Sequence, residues 1–216
     1  MTKLLVHTFV AGPVSTNLYL VEDTVAHEAL AIDPGGAVDE IVAYLRERRL
    51  RLAAIVNTHG HFDHVSGNRA LREATGVPLL MHRADALLAA RASALASFVR
   101  HSGEDSPPPD HFLEDGDEVR AGCTVLKILH TPGHTPGGIT LVGGGAAFCG
   151  DLIFEGGPGL TGLPGCSPEL LFASIREKIL TLPGKTILYH GHGRSTTVAA
   201  ERDNPRYAGP FSAVPP

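Results

Sequence analysis

Short apolar runs, separated by glycine, proline and aspartate, recur through both halves of the chain and limit the folds open to it. Runs of this kind predict strands. In the first half they cover residues 4–10, 17–21, 29–32, 53–57 and 77–81. In the second half they cover residues 118–119, 124–129, 139–142, 146–149 and 186–190. The chain therefore has enough strands for two sheets.

Helical periodicity fills the gaps between these strands. Apolar residues spaced three and four apart run from Val38 to Leu45, and the cations that follow suit a helix C-terminus. Further helices are predicted up to Gly76, over residues 84–96, after Ser167-Pro168 and over residues 197–202. Strands and helices interleaved in this way predict an α+β fold, a four-layer αββα sandwich with helices outside two packed sheets.

The composition agrees with a folded chain of this size. Hydrophobic residues make up 43% and charged residues 19% of the 216 residues, which is enough apolar material for a core. No linker or repeat divides the sequence. We therefore expect residues 1–216 to form one domain, with an irregular tail over residues 203–216.

Charge and hydropathy argue against two classes of partner. The formal net charge is -5, from 18 basic and 23 acidic residues, so no broad cationic surface is available for nucleic acid. Each apolar run is shorter than the ~18 residues that a membrane-spanning helix needs. We expect neither nucleic acid nor a membrane as a partner, and no partner protein is evident.

Cysteine usage indicates the compartment. Cys123, Cys149 and Cys166 form neither a C-x-x-C pair nor an even disulfide framework. This pattern suits a reducing environment. We therefore expect a cytoplasmic protein.

The segment Thr58-His59-Gly60-His61-Phe62-Asp63-His64 is the strongest chemical signal. It places three imidazoles and one carboxylate within six positions, between a predicted buried strand and a predicted helix. Gly60 lets the backbone turn sharply, so that His59 and His61 can face one metal ion while Asp63 and His64 face another. This mix of ligands suits zinc, iron or manganese.

Three later candidates for metal ligands also follow predicted strands. His134 lies in a loop with two prolines and two glycines, Asp151 follows Cys149-Gly150, and His192 lies between two glycines. The carboxylate of Asp151 has two oxygens and is a candidate bridge between two ions. Among the remaining histidines, His101 is expected on the surface.

These pieces, in this order, resemble the metallo-β-lactamase superfamily, whose pattern is H-x-H-x-D-H, a lone histidine, an aspartate after glycine, and a histidine in G-H. The match covers roughly residues 4 to 202. The resemblance implies two zinc ions, with iron or manganese as alternatives. The implied ligands of the first ion are His59, His61, His134 and Asp151. The implied ligands of the second ion are Asp63, His64, Asp151 and His192.

Within the superfamily, the chain is most similar to the small glyoxalase II-like hydrolases, which cleave thioesters such as hydroxyacyl-glutathione. The segment Ile32-Asp33-Pro34-Gly35 and residues 167–193 carry this likeness. It implies attack of a metal-bound hydroxide on the acyl carbonyl of a small-molecule thioester or ester. Asp63 would also orient that hydroxide, and Asp33 would orient the ligand loop from behind.

One stretch departs from the glyoxalase II-like pattern. Gly159-Leu160-Thr161-Gly162 stands where those proteins have G-R-T-D or G-K-x-Y. Leu160 cannot pair with a glutathione carboxylate, and Gly162 supplies no side chain. A more apolar acyl thioester, or another ester, is therefore an alternative to hydroxyacyl-glutathione.

Other functions fit the same residues. A mononuclear iron persulfide dioxygenase would use only His59, His134 and Asp151. A hydrolase of lactones, β-lactams or phosphodiesters would keep both ions, and a binding module would keep them without turnover. The proline-rich residues 102–110 are expected to form a surface loop, with a lid over the substrate as the alternative.

Overall fold

The computed structural model describes residues 4–207. Six strands form a first sheet: β1 (Leu4–Ala11), β2 (Thr16–Asp23), β3 (Glu28–Ile32), β4 (Arg51–Val56), β5 (Leu79–Met81) and β6 (His111–Phe112). They lie side by side in chain order. β1, β2 and β3 pair antiparallel, whereas β3 to β6 run parallel to one another.

Helices connect the parallel strands of this sheet. α1 (Val38–Arg48) joins β3 to β4. α2 (Phe62–Val65) and α3 (Asn68–Thr75) join β4 to β5. α4 (Ala86–Ala89) and α5 (Ala92–Phe98) lie between β5 and β6. A parallel connection of this kind needs a crossover, which the helices supply.

The second sheet contains six more strands: β7 (Glu118–Ala121), β8 (Thr124–His130), β9 (Ile139–Gly143), β10 (Ala146–Gly150), β13 (Ile187–His190) and β14 (Thr196–Thr197). Their order across the sheet is β14-β13-β10-β9-β8-β7. A separate hairpin pairs β11 (Ile153–Phe154) with β12 (Gly157–Pro158). α6 (Pro168–Ser174), a π-helical turn (Ile175–Ile179) and α7 (Val198–Glu201) complete this half.

Side chains of β2 and β3 alternate between two apolar cores, as the two-residue period of a strand requires. Tyr19 and Ile32 lie in the core between the sheets. Leu20 points to the opposite face and lies in a core that it shares with Ile41 of α1. On the second sheet, Leu171 of α6 is buried in a third core. The layers are therefore helix, sheet, sheet and helix, as expected.

The chain crosses to one edge of the sandwich at the end of several strands. The loops after β3, β4, β8, β10 and β13 contain residues 33–35, 57–61, 131–138, 151 and 191–193. Hydrogen bonds join the two sheets at this edge, from Asn17 N to Gly191 O at 2.7 Å and from Ile139 N to Thr58 O at 2.8 Å. Loops from both halves of the chain therefore meet here.

The helix expected over residues 84–96 is broken in the structure. A 3-10 turn (Arg83–Asp85) precedes α4, and α5 begins after a break at Ala90 and Arg91. The break allows α5 to bury Ala92 and Ala96 in a small core with Phe62. Alanine and leucine favour a continuous helix, so tertiary packing overrides the local preference here.

Two segments expected to be loops are partly regular. Asp63 and His64 lie on the single turn of α2. The glycine-rich segment 156–165 begins inside the β11–β12 hairpin, where Gly156 adopts a φ of 80° that favours glycine. The remainder of that segment, residues 159–165, contains no helix or strand.

Residues 102–110 contain no helix or strand and are tied to the body of the protein. Asn68 Nδ2 donates to Ser106 Oγ, and Ser93 N donates to Asp105 Oδ1. In the tail expected to be irregular, Pro205–Tyr207 form one 3-10 turn, and residues 208–216 lie outside the described residues. Within residues 4–207, no helix is both long and apolar enough to cross a membrane.

Candidate metal centre

His59, Gly60 and His61 follow β4 directly, and the packing around Gly60 leaves no room for a side chain. A Cβ on Gly60 would lie 2.8 Å from the carbonyl oxygen of Asp85. The turn brings the rings of His59 and His61 to 4.9 Å between centroids. The loop therefore delivers two imidazoles to one place.

His59, His61 and His134 form a first cluster of potential ligand atoms. All three are buried, and one ring nitrogen of each lies within 4.8 Å of the others. Nε2 of His134 lies 2.9 Å from Nδ1 of His61. The structure thus brings together the three histidines expected at the first ion.

Asp63, His64 and His192 form a second cluster, again with ligand atoms within 4.8 Å of one another. Oδ2 of Asp63 lies 3.2 Å from Nε2 of His192 and 3.5 Å from Nε2 of His64. Thr16 Oγ1 donates to the same oxygen at 2.9 Å. These are the residues expected at the second ion.

Asp151 lies between the two clusters. Its Oδ1 is 3.3 Å from Nε2 of His64. Its Oδ2 is 3.4 Å from Nε2 of His192 and 3.6 Å from Nε2 of His134. One carboxylate therefore contacts histidines of both clusters.

Asp33 lies behind His64. Its Oδ1 accepts a hydrogen bond from Thr58 N at 2.7 Å. Its Oδ2 accepts from Thr58 Oγ1 at 2.6 Å and lies 2.9 Å from Nδ1 of His64. Although atoms of Asp33, His59 and His64 also lie within 4.8 Å of one another, the oxygens of Asp33 already accept from these donors. Asp33 is therefore placed to orient His64.

Asp85 is a buried residue of the site that was not recognised from the sequence. Its Oδ2 accepts from Gly60 N at 2.8 Å, and its Oδ1 accepts from Gly137 N at 2.6 Å. Burial raises the pKa of Asp85 despite these hydrogen bonds. The carboxylate joins the loop of His59 and His61 to the loop of His134. The only signal for it is an acidic residue in a run of alanine and leucine.

Leu160 contributes to the site through its main chain. Its carbonyl oxygen lies 2.8 Å from Nδ1 of His134 and can only accept, so the proton of a neutral His134 lies on Nδ1. Nε2 of His134 is then left to face the first cluster. The side chain of Leu160 is 69% exposed. No sequence signal reveals this role, because every residue has a carbonyl group.

In the metal-free site, the electrostatics keep Asp63 ionised and His61 neutral but favour a protonated His192, which would lose that proton on binding a metal ion. Burial would raise the pKa of Asp63, but the charge of His64 and a hydrogen bond with His192 lower it to about 2. Burial lowers the pKa of His192, but hydrogen bonds with Asp151 and Asp63 raise it to about 9. Burial and then His134 lower the pKa of His61 to about 3, so His61 stays neutral. Neutral imidazole and ionised carboxylate are the forms that bind metals.

Several buried polar atoms in the site have no hydrogen-bond partner among the described residues. They include Nε2 of His59, and also Nε2 of His64 and Oδ1 of Asp151, which lie 3.3 Å apart without forming a hydrogen bond. Leaving such atoms unpaired is costly, and an unpaired cluster calls for an explanation. Imidazole nitrogen and carboxylate oxygen suit divalent metal ions. The residues present therefore fit a metal centre.

Two glycines allow the loops to close around the clusters. A Cβ on Gly191 would lie 1.9 Å from Oδ1 of Asp151 and 2.6 Å from Cε1 of His64. A Cβ on Gly150, whose φ is 51°, would lie 2.2 Å from Thr58 Oγ1. Any side chain at either position would displace a residue of the site.

A cavity of about 270 Å³ lies over both clusters. Its floor consists of His61, Asp63, His134, Asp151 and His192. Its walls consist of Val14, Phe62, Leu95, Val99, His101, Leu160 and Leu163. His101 is exposed, as expected, but it also stacks on Phe62 with ring centroids 6.0 Å apart. Within the described chain, residues 102–110 contribute nothing to the walls.

Known proteins are similar to this chain over most of its length. The family model of the metallo-beta-lactamase superfamily matches residues 11–192. The probable metallo-hydrolase YqgX of Bacillus subtilis is 37% identical, over 93% of this chain and 96% of its own. The hydroxyacylglutathione hydrolase GloC of Haemophilus influenzae is 35% identical, over 88% and 91%. The mitochondrial persulfide dioxygenase ETHE1 of Bos taurus is 36% identical, over 88% and 71%.

Solved structures share the architecture. The B3 metallo-beta-lactamase BLEG-1 superposes with a TM-score of 0.88 at 33% identity, over 95% of this chain and 100% of the other. TTHA1623 in a di-iron-bound form superposes with a TM-score of 0.84 at 34% identity, over 95% and 99%. These likenesses confirm the expected fold. Together with the histidine and aspartate clusters, they support a site for divalent metal.

Proposed function

The chain belongs to the metallo-β-lactamase superfamily, and we propose that it is a binuclear metal hydrolase that cleaves a thioester. The position of Asp151 carries this proposal. Its two oxygens lie 3.3 to 3.6 Å from histidines of both clusters. A carboxylate shared by two sets of three ligands favours two ions over one.

The proposed ions are two zinc ions, with iron or manganese as alternatives. His59, His61, His134 and Asp151 would hold the first. Asp63, His64, Asp151 and His192 would hold the second. When bound, two such ions would lower the pKa of a water toward neutrality and would polarise an acyl carbonyl.

Asp63 is proposed to orient the attacking water. A pKa of about 2 keeps its carboxylate ionised, and therefore able to accept a hydrogen bond, at neutral pH. Thr16 Oγ1 holds its Oδ2 in place at 2.9 Å. The free oxygen can then accept a hydrogen bond from a water that faces the cavity.

The thiolate leaving group of a thioester does not need a proton donor from the protein. A thiolate leaves readily because the pKa of its conjugate acid is about 8.5. The only acidic side chains that line the cavity in the described residues are Asp63 and Asp151, both ligand candidates. A thioester, which requires no separate general acid, therefore suits this site better than an amide.

A mononuclear persulfide dioxygenase is the second candidate, because ETHE1 is 36% identical. It would use His59, His134 and Asp151. The second cluster, whose ligand atoms lie within 4.8 Å of one another, would then have no function, so we rank the dioxygenase below the hydrolase. Hydrolysis of a β-lactam or lactone is the third candidate, on the likeness to BLEG-1.

The test compares the unaltered protein with the variant His192→Ala after loading with zinc, iron or manganese. We expect the unaltered protein to hydrolyse members of a panel of acyl-glutathione and acyl-coenzyme A thioesters. His192→Ala should lose most of this activity and bind the second ion weakly. His111→Ala, which removes an exposed histidine of β6, is the matched control and should match the unaltered protein.

Two outcomes would contradict the proposal. One is a protein that holds two ions and hydrolyses no thioester of the panel. The other is oxygen uptake with glutathione persulfide that His192→Ala retains in full, which would favour the dioxygenase. Elemental analysis of the unaltered protein and of His192→Ala counts the bound ions, and this count distinguishes a binuclear hydrolase from a mononuclear dioxygenase.

We further propose a cytoplasmic enzyme whose ligands come from one domain. All three cysteines are unpaired, which suits a reducing compartment. Both sheets contribute to the same site, since Asp33 and His59 follow strands of one sheet while Asp151 and His192 follow strands of the other. The small-molecule substrate would enter through the cavity above them.

A further inference from the structure

The walls of the cavity over the metal centre come from four separate segments of the chain. Val14 lies in the turn between β1 and β2, and Phe62 lies on α2. Leu95 belongs to α5, with Val99 just after it. Leu160 and Leu163 belong to the loop after β12. Segments this distant in sequence converge on one apolar surface.

Packing of the protein itself accounts for only part of this apolar surface, since Leu95 and Val99 pack against the small core that contains Phe62. Val14, Leu95, Val99 and Leu163 are only half-buried, and the side chain of Leu160 is 69% exposed. Apolar side chains left in contact with water contribute little to folding. A contiguous apolar surface above polar groups is typical of a ligand site.

The cavity lacks partners for an anionic substrate group beyond its floor. Among the described residues, no lysine, arginine, serine, threonine, asparagine or glutamine lines it. His101 is the only polar side chain of the walls. A carboxylate on the acyl group would lie against apolar side chains there, with His101 as its one polar neighbour on the walls, which is less favourable than contact with water. The walls therefore disfavour a negatively charged acyl group.

The size of the cavity sets a further limit. Its volume of about 270 Å³ is many times the ~10–15 Å³ of such space that a single water needs. An acetyl group would leave most of this space unfilled. An acyl chain of intermediate length, such as hexanoyl, would contact the walls while its carbonyl lies over the floor.

We infer that this cavity binds an uncharged, apolar acyl group of intermediate length, and that Leu160 determines this specificity. The inference rests on the proposed thioester hydrolysis, because it assumes that the scissile carbonyl lies over the two clusters. The side chain of Leu160 supplies apolar contact at the position where a cation would favour an acidic substrate. Its carbonyl, which holds His134, is independent of the side chain.

Binding of uncleavable analogues to the metal-loaded protein tests the inference without turnover. The probes are ketones in which a methylene replaces the sulfur of acetyl-, hexanoyl- and glutaryl-N-acetylcysteamine. Each methylene buried beyond the acetyl group should tighten binding about threefold to fourfold, measured by calorimetry. The glutaryl probe, similar in length to hexanoyl but acidic, should bind no more tightly than the acetyl probe.

Leu160→Lys keeps the main-chain carbonyl and adds a cation to the wall. This variant should weaken binding of the hexanoyl probe and tighten binding of the glutaryl probe. The ratio of the hexanoyl affinity to the glutaryl affinity should therefore fall about tenfold or more. Leu87→Lys is the matched control, since Leu87 is 62% exposed and lies outside the cavity walls. The control should keep the preference of the unaltered protein.

The outcomes separate this inference from the proposed function. Equal or tighter binding of the glutaryl probe by the unaltered protein, or an unchanged preference in Leu160→Lys, would overturn the inference. Hydrolysis of thioesters without a preference for apolar acyl groups would overturn the inference and leave the proposed function standing. Selective binding of the hexanoyl probe without hydrolysis of any thioester would support the acyl site and contradict the proposed reaction.

Discussion

Nδ1 of His64 donates a hydrogen bond to Oδ2 of Asp33 over 2.9 Å, and the exposed fractions of the two side chains are 0% and 2%. The carboxylate can only accept, so it keeps a proton on Nδ1. Nε2, on the opposite side of the ring, faces Asp63 and Asp151. Burial disfavours the charged imidazole, but Asp63, Asp151 and Asp33 raise the pKa of His64 well above its usual value, so Nε2 is free to bind a metal ion only once the ion displaces its proton.

The Asp33→Asn variant is expected to weaken metal binding at the second cluster by about 10- to 100-fold. With its oxygen still accepting from Thr58 N, asparagine presents an NH₂ donor to Nδ1, and the proton of a neutral His64 moves to Nε2. Chelator competition and elemental analysis measure the loss. Asp23→Asn is the control. Asp23 is also a buried aspartate, but it lies at the end of β2 opposite Thr16 and therefore away from the site. Unchanged affinity for both ions would contradict the role of Asp33.

The Gly191→Ala variant is expected to lose metal at both clusters. The added methyl group would lie 1.9 Å from Oδ1 of Asp151, which contacts histidines of both clusters. Gly162→Ala is a matched control, because neither glycine has a positive φ and a Cβ on Gly162 meets nothing within 4 Å. Elemental analysis after loading distinguishes the two. Normal metal content in Gly191→Ala would mean that the loop relaxes around the methyl group.

The Asp85→Asn variant is expected to weaken the first cluster more than the second. Asparagine has one oxygen acceptor, so either Gly60 N or Gly137 N loses its buried partner. The free energy of unfolding should fall by about 1–3 kcal/mol. Metal competition at each cluster and chemical denaturation test this, with the exposed Asp39→Asn as control. A loss of stability with both affinities intact would show that Asp85 does not position the ligand loops.

Stability should depend on pH through Asp23. Its carboxylate accepts hydrogen bonds from the backbone amides of Ala26, Val25 and Cys123 and from the hydroxyl of Thr124, and these lower its pKa, with the bond from Ala26 contributing most. The folded pKa therefore lies below the unfolded value of about 3.9. The stability that the ionised group contributes is present above that value and is lost as the pH falls through the folded pKa.

In the metal-free protein, Asp23→Asn should lower the free energy of unfolding by about 1–3 kcal/mol at pH 7. The difference from the unaltered protein should shrink as the pH falls below about 4, where the aspartate of the unfolded chain becomes protonated before that of the folded protein. Urea denaturation over the range from pH 3 to 7 measures both. A difference that stays constant with pH would show that the charge of Asp23 does not contribute.

Strand periodicity located most of both sheets because residues such as Tyr19 and Ile32 alternate with residues that face the helices. Periodicity could not locate the break before α5. Ala90 and Arg91 favour helix, and the break coincides with two tertiary hydrogen bonds, from Ser106 N to Ala89 O and from Ser93 N to Asp105 Oδ1. Local preference and long-range packing disagree at this point, and packing prevails.

The seven candidate ligands were found by their order and by their places after strands, and the structure brings them into one patch. Their role as ligands stays a prediction. The groups that orient them were harder to find. Asp33 was expected from the resemblance, whereas Asp85 was not. The carbonyl groups of Val14 and Leu160, which face Nδ1 of His192 and His134, have no side-chain signature.

Leu160 takes part in the candidate metal centre and in the cavity above it by different atoms. Its carbonyl orients His134, and every amino acid can supply that group, while its exposed side chain forms part of the cavity wall. Substitutions at this position can therefore accumulate during evolution without dismantling the ion-binding geometry. Relatives with different residues here can diverge in substrate while inheriting one chemistry, and a directed-evolution library should begin at this codon.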